Sequence, residues 1–301
     1  MIIETTNLTK LYGNKVGCQN ICLSISEGQV FGFLGPNGAG KSTLIKTLVG
    51  LIFPSSGTAK LLGKPLGDLK AKEKIGFLPE NFRFQDWLTG YEILAYHSAL
   101  HKLPASNKAH RINEVLSLVG LKGRENQRVH TFSHGMQQRL GLAVALLPDP
   151  DLLFLDEPTS ALDPLGRKEV RDLIHSLKAR GKTIFLNSHL LSEIEMICDE
   201  VAIIKKGAII ASGSVDELNS GKTEVEIKIE NLNDSILLGL NAMGLKCTRS
   251  EESLLLELVH EKQIPEAVQI IVNNGGLIYK LIPKHQSLEN LFIKLISEGG
   301  E

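Results

Sequence analysis

No run of 18 or more consecutive apolar residues occurs in this sequence, and its richest apolar stretches, 142–147 and 152–155, are short. Such a chain is not expected to cross a bilayer by itself. Met1-Ile2-Ile3-Glu4 is not a basic leader followed by an apolar run, so no secretory signal is expected. Cysteine is scarce, and Cys18, Cys22, Cys198 and Cys247 form no CxxC pair. That argues against a disulfide framework and for free thiols in a reducing cytoplasm. Neither sign of charge dominates: 33 Lys and Arg stand against 34 Asp and Glu, a formal net charge of −1. This balance gives no global attraction to nucleic acid or to an anionic membrane surface. There is also no internal repeat and no low-complexity tract.

What is present fits one large and one small domain, since 301 residues exceed one ordinary core. Residues 1–27 alternate weakly, as in Ile21-Cys22-Leu23-Ser24-Ile25, and read as antiparallel strands. The apolar run 30–34 precedes a glycine loop and a helix over 41–49. From about 88 to 147 the pattern is helical, with a capping box at Thr89-Gly90-Tyr91-Glu92 and helices over 107–119 and 133–147. Buried strands at 152–155 and 183–187 flank a helix over 165–179, which indicates a parallel sheet covered on both faces. Lys205-Lys206-Gly207 is a hairpin turn, and Ser214-Val215-Asp216-Glu217 opens a short helix.

The polar turn Asn219-Ser220-Gly221-Lys222 is the expected boundary between domains 1–218 and 222–301. Beyond it the order is strand 224–229, helix 234–242, strands 246–249 and 253–259, helix 264–272, strand 277–282 and a last helix 287–296. That β-α-β-β-α-β order plus a helix predicts a small ferredoxin-like α+β domain.

Gly35-Pro36-Asn37-Gly38-Ala39-Gly40-Lys41-Ser42 matches G-x-x-x-x-G-K-[ST] in full. Its glycines let successive backbone N–H groups turn inward on an anion, and the following helix adds its positive dipole end. Lys41 would reach the β- and γ-phosphates of ATP, and Ser42 would hold Mg²⁺, with Thr43 next in the loop. A chance match in this length is on the order of one in a hundred. The flanking strand and helix, the context such a loop requires, disfavour chance further.

Leu152-Leu153-Phe154-Leu155-Asp156-Glu157 is an apolar strand ending in two acids. Adjacent strand residues point to opposite sides, so the two are expected to divide the work. Asp156 can join the Mg²⁺ shell while Glu157 orients or deprotonates the attacking water. Alone this would equally suit a solvated strand end; after a full phosphate loop the chemical role is favoured.

Two further pieces are ordinary when taken singly. Phe132-Ser133-His134-Gly135-Met136 opens a helix, where a serine is usually just an N-cap. His189 follows a buried strand, and a single histidine there is more often structural. Their order along the chain is informative. Over residues 1 to about 218 the sequence resembles the ATP-binding-cassette ATPases, P-loop NTPases with an antiparallel β subdomain and a helical subdomain at about 82–147. Phosphate loop, helical insertion, signature, acid pair, Ser160-Ala161-Leu162-Asp163 and His189 appear in that family's order.

The resemblance implies several roles. Tyr12 would stack on adenine. Ser133 and Gly135 would contact the γ-phosphate of ATP held by another subunit, Asp163 would connect the two sites, and His189 would bind the γ-phosphate and order water. Glu80 stands where the family usually has glutamine, and a carboxylate cannot donate a hydrogen bond as an amide can. His134 and Met136 depart from the usual L-S-G-G-Q. Ser287-Leu288-Glu289-Asn290-Leu291-Phe292 resembles the end of type-2 exporter ATPase subunits.

The resemblance further implies a cytoplasmic ATPase, peripheral at the inner face of the membrane. A second cassette, identical or paralogous, would complete its sites, and a separate multi-span permease would be its partner. Docking would fall near residues 80–100, where Phe82, Phe84, Trp87 and Leu88 serve either that contact or the subdomain's own core. The first alternative is a soluble cassette ATPase working on nucleic acid or ribosomes. Against it, the chain lacks a second cassette, a long coiled coil and metal-binding cysteines. The second is a regulatory module built around the C-terminal domain, for which residues 222–301 carry no ligand motif.

Overall fold

The computed structural model describes residues 1–160, 162–219, 223–249, 253–258, 261–284 and 288–297. Ala161, the expected boundary residues 220–222, the turn 250–252, Val259 and Ser287 lie outside them. The chain divides into two compact units, Met1–Gly213 and Ser214–Glu301.

The first unit begins with β1 (Ile3–Tyr12), β2 (Lys15–Ile25), β3 (Val30–Leu34) and α1 (Lys41–Leu48). Then come β4 (Ser56–Leu61), β5 (Lys64–Pro65), α2 (Leu69–Glu73) and β6 (Ile75–Leu78). Three helices follow, α3 (Gly90–Leu100), α4 (Ala105–Leu118) and α5 (His134–Leu146). The unit closes with β7 (Leu152–Asp156), α6 (Pro164–Ala179), β8 (Thr183–Asn187), α7 (Leu191–Ile197), β9 (Glu200–Lys205) and β10 (Ala208–Ser214), whose last residue is the first of the second unit.

β1, β2, β4 and β5 form a sheet in the order β2-β1-β4-β5, with each pairing antiparallel. The larger sheet runs β10-β9-β3-β8-β7-β6, and β9, β3, β8, β7 and β6 are mutually parallel. Every residue of β3, β7 and β8 is buried, as strands covered on both faces require. Phe185 at the centre lies 5.4–5.6 Å, centroid to centroid, from Phe31, Phe33 and Phe154. Each such ring contributes about 1.5–3 kcal/mol by leaving water. Because the strands run parallel, the loops after β3, β7 and β8 all emerge at one edge of the sheet, where ligands of open α/β sheets are bound. β10 adjoins β9 across Lys206-Gly207, both at positive φ (48° and 85°), as a tight hairpin turn demands.

In the helical region the Thr89–Glu92 capping box is complete: each residue's backbone N–H donates to the other's side chain, at 2.8 and 3.1 Å. Phe82 packs onto Gly141 so closely that a Cβ there would lie 2.6 Å from its ring. Phe82, Phe84 and Leu88 are half-buried, whereas Trp87 stands in solvent. Phe82 thus serves the packing of the helical region itself.

The second unit contains α8 (Val215–Asn219), β11 (Thr223–Glu230), α9 (Asp234–Ala242), β12 (Lys246–Arg249) and β13 (Ser253–Leu258). It ends with α10 (Ile264–Asn273), β14 (Leu277–Lys284) and α11 (Leu288–Ser297). Its antiparallel sheet has the order β12-β13-β11-β14, that of a β-α-β-β-α-β fold. Val225, Ile227, Leu254, Leu256 and Leu258 alternate inward and meet Ile236, Leu240, Ala267 and Ile271 of the helices in a core of their own.

Candidate functional site

The phosphate-loop sequence connects β3 to α1, and its glycines are needed where they stand. Gly38 and Gly40 take φ of 78° and 109°. A Cβ on Gly40 would lie 2.0 Å from the carbonyl oxygen of Gly17, and one on Gly35 would lie 2.4 Å from that of Ile204. Gly40 also occupies the N-cap of α1 without any side-chain cap, so the first amides of the helix are left for another acceptor. Lys41 folds back over the loop, its Nζ donating to the carbonyls of Gly35 at 2.7 Å and Pro36 at 3.2 Å. The Ala39 carbonyl accepts from the Gly207 N–H at 2.9 Å, which pins the loop to the β9–β10 turn.

A cavity of about 560 Å³ opens over this loop. Asn37, Gly38, Gly40, Lys41, Ser42 and Thr43 form its floor, with Tyr12, Glu80, Glu157 and Asn187 around it. Tyr12 is half exposed at the rim, with Lys10 Nζ 5.2 Å above its ring.

The two acids do not part by strand alternation, as their adjacency suggested. β7 ends at Asp156, and Glu157 turns off it with a left-handed backbone, φ 54°. That conformation is costly for a residue with a Cβ, by about 1–3 kcal/mol, and it persists only where its surroundings impose it. The Glu157 N–H donates to the Asn187 carbonyl at 2.9 Å, and its own carbonyl accepts from Gln138 Nε2 at 3.3 Å and Ser160 Oγ at 3.1 Å. One carboxylate oxygen of Glu157 lies 2.7 Å from His189 Nδ1.

Asp156 accepts from Asn187 Nδ2. Burial pushes its carboxyl above the ordinary range, the Glu80 charge adds to this, and Asn187, Ser42 and Lys41 oppose it. Burial also raises Glu157, against the pull of His189 and Lys41. The Lys41 ammonium is lowered by burial and supported by the charges of Glu157, Asp156 and Glu80.

Ser133, Gly135 and Asp163 lie elsewhere. They line a second cavity of about 500 Å³ with His134, Met136, Arg124 and Arg139, and the two cavities share no lining residue. Ser133 caps α5, its Oγ accepting from the Met136 N–H at 3.2 Å. Asp163 caps α6 through the Gly166 N–H at 2.7 Å.

Two residues of the site were missed from the sequence. The sequence shows Asn187 only as the end of a buried strand over 183–187 and Gln138 only as part of the helix over 133–147. A polar side chain closing an apolar strand was the available sign of the first. The second had none, because its partners lie 19 and 20 residues away.

A family model described as ABC transporter matches residues 18–160. The chain is 40% identical to an uncharacterized ABC transporter ATP-binding protein of Nostoc sp., over 99% of this chain and 90% of that one. It is 38% identical to the bacitracin transport ATP-binding protein BcrA of Bacillus licheniformis, over 99% and 98%. A dimeric ATP-binding cassette in a post-hydrolysis state, bound to ADP and Pi, superposes with a TM-score of 0.65 at 25% identity, covering 70% of this chain and 98% of that one. The chain therefore belongs to the ABC transporter ATP-binding proteins. Within that family it is an ATP-binding, ATP-hydrolysing subunit.

Proposed function

We propose that this chain powers an exporter by closing with a second cassette, identical or paralogous, around ATP. The observation that carries this reading is the division of the site: Lys41 and Glu157 line one cavity, while Ser133 and Gly135 line another on the same chain. A complete site then combines the first cavity of one copy with the second cavity of another. Relatives named for bacitracin transport and linearmycin resistance support the export direction. Among the described residues no helix is long and apolar enough to cross a membrane, so the translocation path is assigned to a separate multi-span permease, with this chain at the inner face of the membrane. Trp87, exposed beside α3, belongs to the surface assigned to that contact.

In this reading the amides of residues 38–42 and the Lys41 ammonium hold the β- and γ-phosphates, with Tyr12 against the base. The oxygen donors of half-buried Ser42 and buried Asp156, with the Glu80 carboxylate beside Ser42 on the cavity, fit a hard, octahedral cation such as Mg²⁺. A bound Mg²⁺ supplies charge neutralisation for the transferred phosphoryl group. Glu157 accepts a hydrogen bond from the attacking water and aims it at the γ-phosphorus. His189 holds the Glu157 carboxylate in that orientation, at 2.7 Å, and itself faces the γ-phosphate.

Glu157→Gln tests the assignment. With ATP and magnesium the variant is expected to accumulate as an ATP-bound pair on size exclusion, with phosphate release slowed about 10²–10⁴-fold. Undiminished release would remove Glu157 from this role. Purification in gentle detergent tests the transport assignment, which fails if no multi-span membrane protein accompanies the chain.

A further inference from the structure

Glu157 is held in its left-handed turn by a side chain from α5, the helix that presents Ser133 and Gly135. Gln138 sits one turn into that helix, is 5% exposed, and donates from Nε2 to the Glu157 carbonyl at 3.3 Å and the Pro158 carbonyl at 3.1 Å. The same peptide segment is fixed at its other end by Thr159, whose hydroxyl donates to Glu193 of α7 at 2.6 Å. A buried amide shared between two carbonyls has no water to replace it, so its loss leaves both acceptors poorly satisfied and frees the strained turn.

We infer that Gln138 is a positioning residue for hydrolysis: through the Glu157 backbone, it ties the aim of that carboxylate to the position of the helix carrying Ser133 and Gly135. Gln138 lines neither cavity. Its effect falls on the rate of the chemical step and not on nucleotide capture, because the phosphate loop, on α1 and β3, makes no bond to it. When α5 is displaced, as it would be on meeting the nucleotide of a second copy, the carbonyls it grips move with it. The inference rests on the assignment of Glu157 as the residue that aims water.

The test is a kinetic cycle on the full chain with ATP and magnesium. Gln138→Met keeps the volume and removes both donations. It is expected to lower kcat about tenfold with the KM for ATP within twofold of the parent, since only geometry at the reacting centre is disturbed. Combined with Glu157→Gln it is expected to add nothing further, because its whole effect passes through that side chain. A kcat within twofold of the parent, a matching rise in KM, or full additivity with Glu157→Gln would overturn the inference. Should Gln138→Met fail to fold, Gln138→Glu has the same shape but sets carboxylate oxygens against the two carbonyls, and the same split between kcat and KM is read from it. If Glu157→Gln itself does not slow hydrolysis, the underlying assignment fails; if it does and the Gln138 variants are unimpaired, only this inference fails.

Discussion

Nδ1 of His189 lies 2.7 Å from a carboxylate oxygen of Glu157, across 32 residues of chain. The pairing of β7 with β8 brings them together, matching Asp156 with Asn187 and so setting the residues that follow side by side. The fold thus places a buried acid, whose charge it disfavours, within reach of an imidazole that can steady it.

Glu157 should cost the nucleotide-free protein stability. Its folded-state carboxyl is raised by burial, so between the ordinary carboxylate range and that higher value the folded state binds more protons than the unfolded one. Stability contributed at this position therefore falls as pH rises through that window and is level above it. Glu157→Gln, which carries no charge, is expected to melt about 2–4 °C higher than the parent at pH 7.5, per kcal/mol relieved. The advantage should vanish as the pH drops below the ordinary carboxylate range. Thermal melts across pH check this, and a variant melting lower throughout would contradict it.

Two substitutions in the phosphate loop should separate charge from shape. Lys41→Ala removes a charged donor and should weaken ATP binding by about 10–100-fold in titration calorimetry, as loss of about 1.5–3 kcal/mol implies. Gly40→Ala should weaken it too, but it should also lower the melting temperature without any nucleotide, because its Cβ would meet the Gly17 carbonyl at 2.0 Å. Equal melting temperatures for Gly40→Ala and the parent would speak against the tight crossing of loop and β2.

Thr159→Val examines a buried carboxylate outside the nucleotide cavity. Glu193 is 3% exposed; its Oε2 accepts the Thr159 hydroxyl, its Oε1 makes no hydrogen bond, and Arg171 stands 3.7 Å away. Valine keeps the shape and deletes the donor, so a loss of about 1–3 kcal/mol is expected for the ion left underserved. Calorimetry of the full chain should show its melting lowered by several degrees, and an unchanged transition would mean that Arg171 alone suffices.

What the sequence disclosed and what it withheld divide along contact distance. The phosphate loop and the Asp156-Glu157 pair were legible because their chemistry is contiguous: glycines that must turn, a lysine and serine at a helix start, acids closing an apolar strand. The Thr89–Glu92 box was legible for the same reason, being four residues long. Asn187 and Gln138 were not, since each acts on a partner 19 or more residues away, and one polar side chain in an apolar element has many possible partners. The acid pair shows a subtler limit. Strand alternation predicts that Asp156 and Glu157 point apart along one strand, whereas Glu157 leaves β7 in a backbone turn at φ 54° held by tertiary hydrogen bonds, which no local pattern encodes.

The two separate cavities on one cassette carry a kinetic corollary. If neither is sufficient alone, an isolated copy idles with its nucleotide intact, and the hydrolysis rate of a dilute preparation scales with the square of protein concentration until pairing saturates. Fuel consumption is thereby gated by encounter, and a chain that has not found its counterpart in the assembly spends none.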